Sequence, residues 1–479
     1  MAPTICVRAA NTFQRTYVIR CVMALSVGFF VIGFDQSMMD LNNYYIKHKF
    51  DIMKIKFRVL LLITNLSSIP GSILSCLLAN SRGRKYPVFV AGIFYLVGVA
   101  IMLFTNLLTV MIISRVAVGI SLGIIYTIIP VYIAELSVSR IRGFLCCFPE
   151  VFFNVGSLIC YVYFAALQNY SQALKWKIFV VTNGISAVLL IVVLLRIPES
   201  PWWLITQGRI KDTIEVLLRC EGSATNANLR LNEMRTNLGI LQDDNGENLT
   251  ETLRYYNIKK RVDWKKLFQG KPVLKVFISV IGLNFFQQAF AMDLMLSKFF
   301  LDNQNDKGTN TSIGHFYALS LLSAKTITLL LPMILLDKWG RRPLLLISMG
   351  VMSIVAGVYG ASSLTFWNNP ADELLRAIVL VLAVAFVCSY SSGLGPITWI
   401  YSSEVSLSGV RVEGMSFGII TNIFTYVIIH FGIHQTIATI LPYGGVMLVY
   451  AAILALGTLF CFKMIKETRG EFLEGQLYS

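Results

Sequence analysis

The sequence predicts an all-α membrane protein with twelve transmembrane helices in two six-helix halves. Of its 479 residues, 56% are apolar and only 14% are charged, against roughly 25% charged residues in soluble domains. The apolar residues also form runs close to the length of about 20 residues that crosses a bilayer core. The net charge of +15 does not indicate nucleic acid, because the basic residues gather in short loops between these runs.

The apolar runs divide the chain into five parts. The N-terminus, 1–16, is too polar for a signal peptide. The first half, 17–197, holds spans 1 to 6, which we number in chain order: 17–43, 57–79, 86–105, 108–132, 143–167 and 176–197. A polar linker, 198–272, should form short amphipathic helices under the bundle. The second half, 273–464, holds spans 7 to 12: 273–300, 315–336, 343–366, 374–402, 412–436 and 442–464. A tail, 465–479, follows.

Lysine and arginine residues predict the orientation. They concentrate in the linker and in the loops on one side of the spans, which we call the basic face. Loops rich in Lys and Arg stay in the cytoplasm, so we expect the basic face, the linker and both termini there. One loop, 45–58, is basic on the opposite side and counts against this orientation. We expect a multi-pass protein of the plasma membrane.

Matching motifs recur in the two halves, on the same side. Glu135 and Arg142 are seven residues apart after span 4, and Glu404 and Arg411 are seven apart after span 10, at an offset of 269 positions. "PESP" after span 6 and "KETRG" after span 12 form another pair. Like motifs on one side predict a parallel repeat about an axis along the membrane normal.

A series of motifs along the chain resembles the sugar-porter branch of the major facilitator superfamily. The matching segments are "GFDQS", "SRGRK", "RVAVGISLG", "PVYIAELSVSRIRG", "PESPWWL", "FFQQAF", "DKWGRRP", "GPITWIYSSEV" and "KETRG". The Pro-Glu pair within 142–162 is similar to that of the plant polyol/monosaccharide transporters. The resemblance implies the major facilitator fold and proton-coupled symport of polyols or monosaccharides by alternating access. Its partners would be a small neutral polyol or monosaccharide, protons and the lipid bilayer.

Two alternatives remain open: an uncoupled facilitator, and a non-transporting sugar sensor of the same fold. An enzyme is not indicated, because the chain has no Gly-rich phosphate loop and no nucleophile elbow. The glycines of "GISLG", 119–123, lie in mid-helix, where they should allow close helix packing. No cofactor, metal site, nucleic acid or oligomer is indicated. The nine cysteines contain no CxxC pair, so neither a disulfide framework nor a zinc site is expected.

Asp35 lies in an apolar run, where an ionised carboxylate costs about 2.5–3.5 kcal/mol. Burial raises the pKa of a carboxyl group and a nearby cation lowers it, so a site that alternates between these settings can load and release a proton. The resemblance supplies Arg142 as the partner, so we expect an Asp35–Arg142 proton-coupling pair. The alternative is a structural contact between helices.

A polyol that leaves water needs a protein partner for each hydroxyl, because a buried unpaired polar group costs about 1–3 kcal/mol. The spans offer amides, carboxylates and an aromatic ring for this purpose. The candidate substrate-binding residues are Glu150, Gln287, Gln288, Asp293, Trp399 and Asn422, and the resemblance supports both Gln residues, Trp399 and Asn422. The alternative is that the amides join helices. Glu150 could also share the proton transfer.

Charged residues at the basic face predict gating contacts that join the halves when this side is closed. The candidates are Arg84, Glu135, Glu199, Asp337, Arg341, Arg342, Glu404, Arg411 and Glu467. Positive-inside topology alone explains the arginines but not the repeated Glu–Arg spacing. Asn80, Trp202, Ala291 and Lys466 depart from the sugar-porter pattern, and Asn80, which carries no charge, predicts a weaker latch than Asp337 in the second half.

Overall fold

The computed structural model describes residues 2–50, 54–237, 271–289, 311–366, 373–406, 410–433, 437 and 439–469. Within them, ten helices are long and apolar enough to cross a membrane, and a shorter apolar helix covers Leu274–Ala289. These helices form two bundles that meet along spans 2, 4, 5, 8, 10 and 11. The all-α class and the twelve-span architecture are confirmed.

The first half is built from six long helices. They are Ala2–Leu41, Lys54–Arg82, Lys85–Phe104, Leu108–Leu136, Phe148–Ala166 and Gln172–Leu194. Three short elements connect them: Asn43–Lys49, the 3₁₀ turn Ser139–Ile141 and Arg142–Cys146. Span 5 therefore starts as two pieces, and Pro149 lies in the first turn of the longer one, where its missing N–H costs no hydrogen bond.

The second half contains broken helices. Its elements are Lys271–Ala289, Thr311–Thr328, Leu330–Trp339, Arg341–Phe366, Glu373–Ser392, Leu394–Val405, Arg411–Val427, the π-helix Ile428–Ile433 and Tyr443–Met464. Span 10 breaks at Gly393 because Pro396 would clash with the carbonyl four residues earlier in a continuous helix. Ser348 Oγ accepts the freed Leu394 N–H at 3.0 Å.

Spans 2 and 4 pack closely enough for backbone contact. A Cβ at Gly119 would collide with the Thr64 carbonyl, and one at Gly123 would collide with the Ser68 carbonyl. The sequence prediction that these glycines serve helix packing is confirmed.

The described part of the linker folds into three helices, Pro201–Thr206, Ile210–Glu221 and Ala224–Asn237. They share a small core in which Trp202 is 2% exposed and packs with Leu217 and Leu231. The departure at Trp202 thus supplies the largest side chain of that core. Arg230 donates to the Glu135 carbonyl at 2.8 Å and holds this core under the first half.

Candidate functional site

Asp35 is buried in the middle of the first half. Its two carboxylate oxygens accept hydrogen bonds from Arg115 Nη1 and Nη2, both at 3.1 Å. Asn183 Nδ2 also donates to Asp35 Oδ1 at 3.1 Å. Since Asp35 and Arg115 are each 1% exposed, the structure shows a bidentate ion pair shielded from water, with an amide as third member.

The expected Asp35–Arg142 pair is wrong. Arg142 begins span 5 at the basic face, donates to Ser139 Oγ at 3.2 Å and experiences the attraction of the Glu404 carboxylate. Arg115 lies near the opposite end of span 4. At 1.5 Å per residue, the helix from Arg115 to Leu136 separates the two arginines by roughly 30 Å.

Arg115 is a functional candidate that the sequence reasoning missed. The signal was available, because Arg115 interrupts the apolar run "LTVMIISRVAVG" just as Asp35 interrupts its own. Two opposite charges inside spans of one half are expected to find each other, since an unpaired charge at that depth is costly.

Three of the predicted substrate residues form one amide cluster in the second half. Asn422 Nδ2 donates to Gln287 Oε1 at 2.8 Å, and Gln288 Nε2 donates to Asn422 Oδ1 at 3.0 Å. Gln287 Nε2 in turn donates to the Gly395 carbonyl at 3.2 Å, just after the break in span 10. The cluster joins spans 7, 10 and 11, as the alternative of amides that join helices expected. Its role in substrate binding stays a prediction.

Trp399 joins the second half to the first. Its ring stacks on Tyr126 with centroids 5.6 Å apart and planes 10° apart. Gln36 Nε2 donates to the Tyr126 hydroxyl at 3.4 Å. Spans 1, 4 and 10 therefore meet at one aromatic contact, and Gln36 is the direct neighbour of Asp35.

Glu150 lies opposite a lysine that the sequence reasoning did not select. Lys325 Nζ of span 8 is 3.7 Å from Glu150 Oε1 of span 5, so the pair links the halves. Asn154 Nδ2 donates to the same carboxylate oxygen, Glu150 Oε1, at 3.3 Å. Asp293, the sixth predicted substrate residue, falls outside the described residues.

A buried carboxylate organises the basic face of each half. In the first half, Glu135 accepts from Arg84 Nε at 2.9 Å and Nη2 at 3.0 Å, and from Ser200 Oγ at 2.5 Å. In the second half, Glu404 accepts from Arg341 Nη2 at 2.7 Å and Nε at 3.1 Å, and from Thr468 Oγ1 at 2.7 Å. We call these the Glu135 and Glu404 clusters.

A second glutamate closes the turn beside each cluster. Glu199 accepts the backbone N–H groups of Arg84 and Lys85, and Glu467 accepts those of Arg341 and Arg342. Gly83 and Gly340 have φ of +91° and +95°, and a Cβ on either would meet the carboxylate. Glycine is needed at both turns for these two reasons. Burial raises the pKa of Glu199, and the backbone N–H donors oppose this shift.

Contacts across the two halves close the basic face. Arg411 Nη1 donates to Glu135 Oε1 at 3.3 Å. Asp337 accepts the N–H groups of Gly143 and Phe144 at 2.9 and 3.0 Å. Asn80 Nδ2 donates to Glu413 Oε1 at 2.7 Å. Both bundles are therefore locked together on this side.

These groups are buried ion pairs, an amide cluster and a stacked aromatic pair. Among the described residues, no group of three His, Cys, Asp or Glu side chains could hold a metal ion.

The comparisons with known proteins agree with this picture. The model of the family "Sugar (and other) transporter" matches residues 5–478. The chain is 30% identical to Polyol transporter 5 of Arabidopsis thaliana over 468 residues, which are 96% of this chain and 86% of that one. It is 30% identical to Putative polyol transporter 1 of the same plant, covering 96% and 90%.

A solved structure has the same fold. The proton:xylose symporter XylE of the major facilitator superfamily, bound to 6-bromo-6-deoxy-D-glucose, superposes with a TM-score of 0.83 at 19% identity and covers 98% of this chain and 100% of that one. With a family model matched along almost the whole length and two bundles joined as described above, the chain belongs to the sugar transporter family of the major facilitator fold.

Proposed function

We propose that this sugar transporter is a proton-coupled symporter of polyols or monosaccharides that works by alternating access. The observation that carries the proposal is the buried Asp35–Arg115 pair. Removing one charge from a buried pair typically costs 3–5 kcal/mol, so protonation of Asp35 would release Arg115 and favour another helix arrangement. Asp35 and Arg115 replace Asp35 and Arg142 as the proposed coupling residues.

A direct path leads from this pair to the interface of the halves. Asp35 and Gln36 are adjacent on span 1, and their partners Arg115 and Tyr126 are on span 4. Any shift of span 1 against span 4 therefore acts on Tyr126, whose ring stacks on Trp399 of the second half. A proton on Asp35 would thus change the surface that the substrate meets, and linkage requires the substrate to affect proton binding equally.

The proposed substrate site uses Glu150, Gln287, Gln288, Trp399 and Asn422, with Asp293 as a further candidate. The amides and the carboxylate would exchange their present hydrogen bonds for hydroxyls, and the Trp399 ring would cover a C–H face of the solute. The curated relatives are named polyol transporters, and this supports a polyol as substrate.

The proposed gate is the basic face, which the Lys and Arg distribution assigns to the cytoplasm, here of the plasma membrane. Arg84, Glu135, Asp337, Glu404 and Arg411 would hold it closed and separate when it opens. Arg341, Arg342, Glu199 and Glu467 would keep the turns in shape.

The proton gradient is sufficient for uphill transport. One proton crossing 100 mV yields about 2.3 kcal/mol, and a tenfold pH gradient adds about 1.4 kcal/mol. Together they sustain accumulation of a neutral solute by roughly two to three orders of magnitude.

Uptake of radiolabelled sorbitol or xylose into transporter-null yeast, with and without a protonophore, tests the proposal. We expect concentrative uptake that the protonophore abolishes. Uptake that only equilibrates and ignores the protonophore would instead identify a facilitator. Failure of every polyol and sugar to enter or exchange, in cells where the protein reaches the surface, would favour a sensor.

A further inference from the structure

Lys325 is a cation inside a membrane span with one acidic neighbour. It lies within the apolar helix pair Leu319–Trp339, and its side chain is 12% exposed. The three donors of its ammonium form no hydrogen bond with the described residues, and the carboxylate of Glu150 at 3.7 Å is beyond the normal hydrogen-bond range. A charge at this depth marks a functional site by default.

Aromatic rings hold the ammonium in place. Lys325 Nζ lies 5.7 Å from the centroid of the Phe153 ring and 5.5 Å from that of Tyr390. Ring faces attract a cation without occupying its N–H donors, so these donors stay available to a ligand.

The Tyr390 ring also connects Lys325 to the amide cluster of Gln287, Gln288 and Asn422. Tyr390 would touch a Cβ placed on Gly395, and the Gly395 carbonyl accepts from Gln287. Depth agrees as well: at 1.5 Å per residue, Lys325 and Gln287 are each roughly 20 Å from the basic-face ends of their helices at Trp339 and Leu274. Lys325 thus extends the proposed substrate site from Glu150 at the interface of the halves.

We infer that Lys325 and Glu150, which lie on different halves, together form a subsite for two neighbouring hydroxyls of the substrate. Glu150 also neutralises the charge of Lys325, so that acidic sugars are not bound. The inference rests on the proposed function and specifies its substrate class. One hydroxyl donates to the Glu150 carboxylate and the next accepts from the Lys325 ammonium. An unpaired lysine would attract the carboxylate of an acidic sugar. The Glu150–Lys325 pair has no net charge and does not attract it.

Two six-carbon ligands distinguish these properties. Sorbitol is a neutral linear polyol, and gluconate carries a carboxylate at one end of a similar chain. Binding to the purified protein in nanodiscs is measured by thermal shift and by tryptophan fluorescence. Neither readout requires transport.

Glu150→Gln should gain gluconate affinity by about tenfold or more relative to wild type, because it leaves Lys325 without its counter-charge. Lys325→Met should lose about 10- to 100-fold in sorbitol affinity, the usual range for a hydrogen bond to a charged group. The double variant Glu150→Gln/Lys325→Met, which leaves no buried single charge, should bind gluconate as poorly as wild type.

Lys175→Met is the matched control. Lys175 is also buried in the membrane region and lies over an aromatic ring, Phe164, but it donates to the Gln168 carbonyl at the far end of the first half. It should bind both ligands like wild type. Melting curves of all variants confirm that each one is folded.

Equal gluconate affinity in wild type and Glu150→Gln, or equal sorbitol affinity in Lys325→Met and Lys175→Met, would overturn the inference. If Glu150→Gln does not fold, the comparison of Lys325→Met, the double variant and Lys175→Met on sorbitol decides it. If the proposed function fails instead, wild type neither binds nor accumulates sorbitol. The increase in gluconate affinity of Glu150→Gln over wild type is measured independently of that result.

Discussion

The two halves are alike at the basic face and unlike deeper in the membrane, away from that face. The Glu135 and Glu404 clusters share a bidentate arginine, a hydroxyl donor and a glutamate-closed glycine turn. Away from the basic face, the offset of 269 that relates Glu135 to Glu404 places Val384 at the position of Arg115. A charged pair occupies the first half and an amide cluster the second.

Under the proposed function, this difference is a division of labour. A gate that must close symmetrically uses the same contacts twice, whereas proton binding belongs to the first half and most of the proposed solute contacts belong to the second.

Asp35→Asn removes the carboxylate of the buried Asp35–Arg115 pair, which the amide cluster of the second half does not match. We expect accumulation of substrate to fall from the proposed two to three orders of magnitude to about equality, because no proton is carried. Exchange of internal for external substrate should persist. Radiolabelled uptake and counterflow in vesicles measure the two activities.

The control for this change is Asp35→Asn/Arg115→Gln, which avoids leaving Arg115 as a buried unpaired cation. It should fold better than the single variant and be equally unable to accumulate substrate. Concentrative uptake that survives in either variant would remove Asp35 from the coupling role.

Glu135→Gln compared with Glu404→Gln tests how far the two clusters are equivalent. Each change breaks a buried ion pair, at a cost of about 3–5 kcal/mol. Glu135 also accepts from Arg411 of the other half, so we expect the larger fall in melting temperature for Glu135→Gln. Equal falls would mean that the Arg411 contact adds nothing.

Asn80→Asp tests the contact that Asn80 of the first half makes with Glu413 of the second half. The sequence argument expected the neutral Asn80 to weaken this contact, but the structure places it against the Glu413 carboxylate, where an aspartate would repel. Like charges in contact cost several kcal/mol, so the basic face should open more often. Cys76, which is 6% exposed and has Sγ 3.7 Å from the Val412 carbonyl, reports this opening.

We expect maleimide labelling of Cys76, followed by peptide mass mapping, to speed up by about tenfold or more in Asn80→Asp. Adding Glu413→Gln should restore slow labelling because one of the two charges is removed. Asp337→Asn, which keeps one acceptor for the backbone N–H groups of span 5, should have a smaller effect. An unchanged rate in Asn80→Asp would show that this latch does not limit opening.

Ser72→Ala should have the smallest effect. Ser72 and Ser416 share a neutral hydrogen bond of 2.8 Å across the same interface, which is worth about 0.5–1.5 kcal/mol. Cys76 labelling should therefore rise by about tenfold at most, and Ser416→Ala should match Ser72→Ala since both remove one bond. A larger effect than that of Asn80→Asp would contradict a gate held mainly by charged groups.

Much of the fold follows from local rules. Apolar run lengths predicted the ends of the described spans within a few residues, and Pro396 and Pro149 explain why spans 10 and 5 are broken. Residues 290–300 of predicted span 7 and 434–436 of predicted span 11 lie outside the described residues. These features depend on hydrogen bonding and packing within a few turns of helix. The sequence motifs also identified the residues of the amide cluster.

The contact partners of the site residues were harder to predict than the site residues themselves. The sequence marked Asp35 as an anomaly, but Arg115, which interrupts the apolar run of span 4 in the same way, was passed over for Arg142, the partner that the resemblance suggested. Lys325 was missed because it is a lone cation in an apolar run, and its meaning appears only beside Glu150 of the other half. Asn80 seemed a loss of charge until Glu413 was seen opposite it.

The sequence alone determined the class of the protein, its two-fold repeat and which polar residues must be buried, because the cost of placing a charge or an unpaired amide in hydrocarbon depends only on its position along a span. The tertiary structure decided which of these residues meet. Which residues meet depends on the rotation and the depth of helices that are far apart in the chain. The sequence of one helix does not specify the register of its neighbours.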